Sequence, residues 1–263
     1  MSTNLHTGFS DPTRRVAAAL ASFLEDVDRL PGIRAIHAAM RRALAVRPGM
    51  RVLDAGCGLG LETARLAADH PEAQVTGLDR NAELLQQARL RGARANLSWH
   101  EADLRELDLP VAHFDAIRTE RVLMYLPDPD FERVIERLLA LLRPGGRLVL
   151  FELDYGATIL PPAGHDKDVV RKAETALERS LPQPWAGRRL PELLADRNVA
   201  ELDATPHAFT VDASVWSRIV GDTLRADAPA ADQRELSAWA DDVPRRGLLG
   251  AFTGILTTAR VPA

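Results

Sequence analysis

Apolar positions near the start of the chain recur at three- and four-residue steps. Val16, Leu20, Phe23, Leu24, Val27 and Leu30 make one stripe; Ile33, Ile36, Met40 and Leu44 make another. That spacing predicts amphipathic helix over 13–46, interrupted at Pro31-Gly32. The twelve residues before it are polar and read as a loose end. At Arg51 the rhythm changes. Val52-Leu53 is a short apolar run that stops at a glycine-rich turn, and strand-like runs follow at 74–79, 97–100, 114–118 and 147–151. Helical spacing fills 62–69, 82–91 and 131–142, and the last of these turns through Arg143-Pro144-Gly145-Gly146 into the most apolar strand. Strands alternating with helices at this spacing indicate βαβ units and a parallel sheet.

Beyond Glu152 the alternation weakens. A helix is predicted at 166–179 and another at 189–197, then a strand at 199–211. Helices are predicted across 213–243, including 231–241, and a closing strand at 249–261. The whole divides into an N-terminal helical segment, 1–46, and a domain over 47–263 with insertions at about 153–186 and 213–243.

Composition narrows the class. A chain of 263 residues fits one or two domains. The 46% hydrophobic and 27% charged content is ordinary for a globular protein. A single cysteine, Cys57, excludes an internal disulfide framework and a thiolate metal cluster. The net charge of -4 argues against a nucleic-acid binder. No apolar run reaches the ~18 residues of a membrane span. The opening MSTNLHTGFSDPTRR lacks a secretory pattern, so the expectation is a cytoplasmic protein.

The glycine turn carries the most chemistry. Gly56, Gly58 and Gly60 follow a predicted strand and precede a predicted helix, where glycines let the backbone turn sharply and present N–H groups to a ligand. Asp54 precedes them. A dinucleotide fingerprint would need its third glycine at position 61, which is Leu61, and no P-loop lysine follows. Asp79 ends the next strand, where a carboxylate can accept both hydroxyls of a ribose. Asp103 follows the third strand and can accept from an adenine amine. Each acid could equally cap a helix. The seven histidines form no His-x-x-x-His spacing, and no metal site is expected.

The runs VLDAGCGLG (52–60), GLD (77–79), EADL (101–104), FDAIRTERVLMYLPDP (114–129) and LRPGGRLVLFE (142–152), in this order, resemble the class I S-adenosylmethionine-dependent methyltransferases. The likeness covers about 45–152. It is greatest to their small-molecule group, which includes ubiquinone, menaquinone and natural-product methyltransferases. The resemblance implies a Rossmann-like α/β fold: a doubly wound, mostly parallel seven-stranded sheet with helices on both faces, N-terminal helices and helical lid insertions.

It also implies S-adenosylmethionine as cofactor, with Gly56, Cys57, Gly58 and Gly60 facing its methionine part. Asp54 would tie down the loop or meet the cofactor's amino group. Asp79 would bind the ribose, Arg80 the adenine edge, and Asp103 with Leu104 the adenine. Glu120 and Arg121 would lie near the sulfonium and the substrate. Tyr125, Asp154, Tyr155 and Trp185 are candidate substrate contacts, and Glu120, Tyr125 and His165 candidate catalytic residues. The absence of Asn/Asp-Pro-Pro-Tyr after the fourth strand sets the chain apart from enzymes that methylate nucleobase or glutamine nitrogens.

The expected reaction is SN2 methyl transfer to a small, fairly apolar acceptor, with neither nucleic acid nor membrane as partner. Cys57 reads as a small residue packed in the loop, not as a reactive thiol. Two rivals remain. One is a cofactor-binding protein of the same fold that runs a non-methylating reaction such as a cyclisation, or serves as a partner subunit. The other is a nicotinamide oxidoreductase, which Leu61 and Asp103 disfavour. Monomer and homodimer are both compatible with the sequence.

Overall fold

Seven strands pair in the order β3-β2-β1-β4-β5-β7-β6 in a computed structural model that describes residues 14–247 and 250–263. The predicted loose end at 1–12, the Thr13 start of the first helix and Leu249 lie outside the described residues. β1 (Arg51–Ala55), β2 (Gln74–Asp79), β3 (Leu97–Glu101), β4 (Phe114–Glu120) and β5 (Leu142–Leu153) are parallel neighbours. Residues 114–119 are buried on both faces, as in a central parallel strand, and Asp115, Arg118 and Thr119 are buried with the apolar positions. β7 (Ala251–Arg260) runs antiparallel between β5 and β6 (Ala200–Thr210). The order reverses between β1 and β4, so the C-terminal ends of these strands border a crevice.

Helices α3 (Leu61–Asp69), α4 (Ala82–Leu90) and α5 (Asp130–Leu141) connect the parallel strands. The Asn81 side chain caps α4 by accepting from the N–H groups of Glu83 and Leu84. The predicted Arg143–Gly146 turn is corrected: those residues join β5, and the pairing with β4 shifts register between Phe114 and Ala116.

At the N-terminus, α1 (Arg14–Arg29) and α2 (Pro31–Leu44) are two helices, with Pro31 in the first turn of the second. Ile33, Ile36, Met40 and Leu44 are buried, and α2 packs on β4, β5 and β6. It is therefore a layer of the core, and α1 packs on it and on α4, burying Leu20, Phe23 and Val27. The insertion after β5 contains α6 (Lys167–Arg179), capped by Asp166, and α7 (Ala186–Ala195) follows. Between β6 and β7 come α8 (Ala213–Trp216), a π turn (Ser217–Gly221), α9 (Asp222–Asp227) and α10 (Gln233–Arg245). Trp216 and Trp239 pack edge to face in their core. Among the described residues, no helix is long and apolar enough to cross a membrane.

Candidate functional site

The glycine loop closes over the end of β2. The N–H groups of Gly56 and Cys57 both donate to the Leu78 carbonyl, at 2.7 and 2.9 Å. Gly56 and Gly60 have φ of 80° and 65°. A Cβ at Gly56 would run into Val122, and one at Gly60 into the Trp99 ring, so both positions require glycine. The Gly58 N–H donates to Asp79 Oδ2 at 2.7 Å, and the Asn81 N–H to Asp79 Oδ1 at 2.8 Å. Burial pushes the Asp79 carboxyl above its usual range, opposed by these two N–H groups.

β2 and β3 are in register with Asp79 opposite Glu101, which brings the residues after β3 to the same wall. Asp103 accepts from the Arg105 guanidinium at 2.9 and 2.6 Å and from the Arg105 N–H at 2.9 Å. Arg105 holds the Asp103 carboxyl down at about 2, with Arg80 adding to the effect. Asp103 therefore caps a 3-10 turn and lines the cavity at once.

The end of β4 carries a buried ion-pair network. Arg118 donates to Asp54 Oδ1 at 2.8 Å and to Glu120 Oε2 at 2.5 Å, while Thr63 Oγ1 donates to Asp54 Oδ2 at 2.7 Å. Asp54 is thus consumed in tying β1, β4 and α3 together. His37 Nε2 lies 2.9 Å from Glu120 Oε2 and 3.1 Å from Oε1. Arg121 Nε donates to Glu120 Oε1 at 3.2 Å. Burial alone would raise the Glu120 carboxyl, but His37, Arg121 and Arg118 hold it well below the usual carboxylate range. Behind this network, Glu152 on β5 accepts from the N–H groups of Val122 and Leu123, both at 2.9 Å, and of Met124 at 3.3 Å. It clamps the turn that follows β4.

These walls enclose a cavity of about 440 Å³. Gly56, Cys57, Gly58, Asp79, Arg80, Asp103 and Leu104 line it, and so do Glu120, Arg121, Tyr125 and Tyr155. Phe23, Leu24, Leu126, Leu153, Pro182 and Ile219 supply an apolar remainder. Burial raises the Tyr125 and Tyr155 hydroxyls, so both stay protonated at neutral pH. Asp54 and Gly60 sit behind the lining.

Three expected residues lie elsewhere. His165 Nε2 is 3.0 Å from Asp242 Oδ2 on α10. Asp154 is buried in a two-pronged pair with Arg188 of α7, at 2.6 and 2.8 Å. Trp185 is half exposed, with Arg188 over its ring. Asp28, His37, Glu62 and Arg105 line the cavity without having been singled out. For His37 a signal existed: it falls on the buried stripe of α2, between Ile33 and Met40, where a polar side chain needs a partner.

A parallel sheet with this switch point, a glycine turn after β1 and acids after β2 and β3 defines a Rossmann-like nucleoside-cofactor domain. Residues 52–146 match the family described as methyltransferase domain. Trans-aconitate 2-methyltransferase of Azoarcus sp. is 37% identical over 153 residues, 58% of this chain and 51% of that protein. The 27-O-demethylrifamycin SV methyltransferase of Amycolatopsis mediterranei is 31% identical over 175 residues, 65% of this chain and 58% of that protein. The chain thus spans between about half and three-fifths of the length of these relatives. A Haemonchus contortus phosphoethanolamine N-methyltransferase 2, solved in complex with S-adenosyl-L-methionine, shares the fold with a TM-score of 0.64 and 14% identity, over 99% of this chain and 60% of that one. The chain carries a class I S-adenosylmethionine-dependent methyltransferase domain. S-adenosylmethionine is the cofactor of that family, which removes the nicotinamide alternative.

Proposed function

We propose that the protein catalyses methyl transfer from S-adenosylmethionine to a small, largely apolar acceptor. One observation carries this reading: a single cavity is lined by acids and glycines, by apolar side chains, and by Glu120, Arg121 and Tyr125. The donor set fits the cofactor. Asp79 and Asp103 offer carboxylate oxygens to hydroxyl and amine groups, and the glycine loop leaves backbone where side chains would intrude. When bound, the cofactor supplies a methyl group already activated on a sulfonium.

What this chain adds is placement. Glu120, locked by Arg118, Arg121 and His37, keeps a fixed negative charge beside the reacting end. The Glu152 clamp fixes the turn that presents Tyr125. Phe23, Leu24 and Ile219 exclude water and hold an apolar acceptor in line. The relative named for a rifamycin derivative supports a natural-product acceptor.

Incubating the protein with S-adenosylmethionine and a panel of hydroxylated and amino natural-product scaffolds tests the reading. Stoichiometric S-adenosylhomocysteine and methylated product support it. Tight cofactor binding with a rearranged, unmethylated product would replace it with the non-methylating alternative.

A further inference from the structure

Asp28, His37 and Glu62 meet on the cavity wall, outside the cofactor assignments above. One ligand atom from each lies within 4.8 Å of the others, and all three residues are buried. The His37 side chain is only 6% exposed, and its Nδ1 has no hydrogen-bond partner. That nitrogen lies 3.3 Å from Glu62 Oε1 and 3.7 Å from Asp28 Oδ1. Two ligand atoms bound at ~2.1 Å to one ion lie roughly 3 Å apart at a right angle and about 3.4 Å apart at the tetrahedral angle. The His37–Glu62 pair has this spacing, Asp28 lies a few tenths of an ångström beyond it, and small side-chain shifts would bring all three onto one ion.

We propose that Asp28, His37 and Glu62 form a binding site for a divalent first-row transition-metal ion whose open positions face the cavity. The second face of His37 fits this role. With Nε2 donating to Glu120, the Nδ1 lone pair is left on the side of the two carboxylates, and a metal-bound histidine characteristically donates its other ring N–H to a carboxylate. Two carboxylate oxygens and one imidazole nitrogen suit manganese, cobalt, iron or zinc better than calcium.

Arg65 now stands in that position. Its Nη1 reaches Asp28 Oδ1 at 2.6 Å and Glu62 Oε1 at 2.7 Å, its Nη2 reaches Asp28 Oδ2 at 2.6 Å, and Arg41 takes Glu62 Oε2 at 2.6 Å. The Arg65 side chain is 40% exposed, so it can swing into solvent. Asp28, Glu62, Glu120 and Asp54 pair with Arg41, Arg65, Arg118 and Arg121, four charges against four. Exchanging Arg65 for a dication leaves one extra positive charge, which an ionised acceptor oxygen bound to the ion would cancel.

The test titrates the full-length protein with Co²⁺, followed by visible absorption and calorimetry, without donor or acceptor. Its outcome is therefore independent of the methyl-transfer reading. One saturable Co²⁺ per chain is expected. His37→Gln and Asp28→Asn should each weaken it by at least about tenfold, and Arg65→Met, which removes the competing cation, should tighten it. Far-UV circular dichroism verifies each fold, and either ligand variant suffices if the other does not fold. The proposal is overturned if neither the native protein nor Arg65→Met takes up Co²⁺ below millimolar concentration, which would leave an ion-pair network only. It is also overturned if the folded ligand variants bind as well as the native protein, or if Arg65→Met loses binding.

Discussion

The Asp79 carboxylate spends one lone pair of each oxygen on the chain itself, Oδ1 on the Asn81 N–H and Oδ2 on the Gly58 N–H. Each oxygen keeps a second lone pair for a ligand. The same side chain therefore shapes the glycine loop and can hold two ribose hydroxyls. Asp79→Ala should weaken S-adenosylmethionine binding roughly 100-fold, since hydrogen bonds to a charged group are each worth about 1.5–3 kcal/mol. Asp79→Asn keeps one acceptor oxygen but turns an NH₂ toward a backbone donor, and should cost about tenfold. Calorimetric titration of both variants checks this; an unchanged affinity in Asp79→Ala would sink the ribose assignment. Asp79 was legible because a strand-ending acid after a glycine turn is a local pattern. Asp154, another strand-ending acid, shows the limit of such reasoning. Its partner, Arg188, lies 34 residues further on in α7, and nothing around Asp154 announces it.

Among the helices, the π turn at Ser217–Gly221 decides how the late insertion meets the N-terminus. It places Ile219 on the cavity wall and turns the Arg218 guanidinium onto Asp26 of α1 and over the Phe23 ring, 5.4 Å from its centre. Phe23 itself lines the cavity. Arg218 therefore ties two elements together across the part of the cavity proposed to hold the acceptor. Arg218→Ala should raise the acceptor KM by roughly three- to tenfold, the scale of about 1 kcal/mol for a part-buried cation over an aromatic ring. The cofactor Kd should stay unchanged. Steady-state kinetics beside cofactor titration reads both, and an equal loss in the two would overturn the assignment to the acceptor end. Helical spacing made 213–243 recognisable as helix. The π turn left no mark, since one extra residue does not alter a 3.6-residue period over so short a segment.

At the scale of the whole molecule, the parallel half was readable because βαβ connections force the ends of β1, β2 and β4 to one edge of the sheet, whatever the side chains do. The ion-pair network across that edge was not, because its members come from separate elements; His37 and Glu120 are 83 residues apart. Glu152 belongs to this hidden layer, and it couples the stability of the whole fold to pH. Burial raises its carboxyl from 4.5 to about 7, outweighing the N–H groups of Leu123, Val122 and Met124 and the nearby Arg121 charge. The Tyr125 hydroxyl, the other titratable group facing it, remains neutral in this range. Below pH 4.5 Glu152 is protonated in both folded and unfolded chains. Between 4.5 and about 7 the unfolded chain ionises and the native one resists, so stability falls with rising pH and levels off above about 7. The shift corresponds to about 3 kcal/mol. Other carboxyls, Glu120 and Asp103 among them, are held low and push the opposite way, so the total curve hides the effect. Comparison with Glu152→Gln isolates it. The amide oxygen can still accept from Val122 and Leu123, and the amide nitrogen facing the Met124 N–H costs the same at every pH. Urea denaturation of both proteins from pH 5 to 8 should therefore show the variant gaining on the native protein by up to about 3 kcal/mol as pH rises. A difference that stays constant across that range would mean that Glu152 is already ionised at pH 5, held so by its three backbone donors.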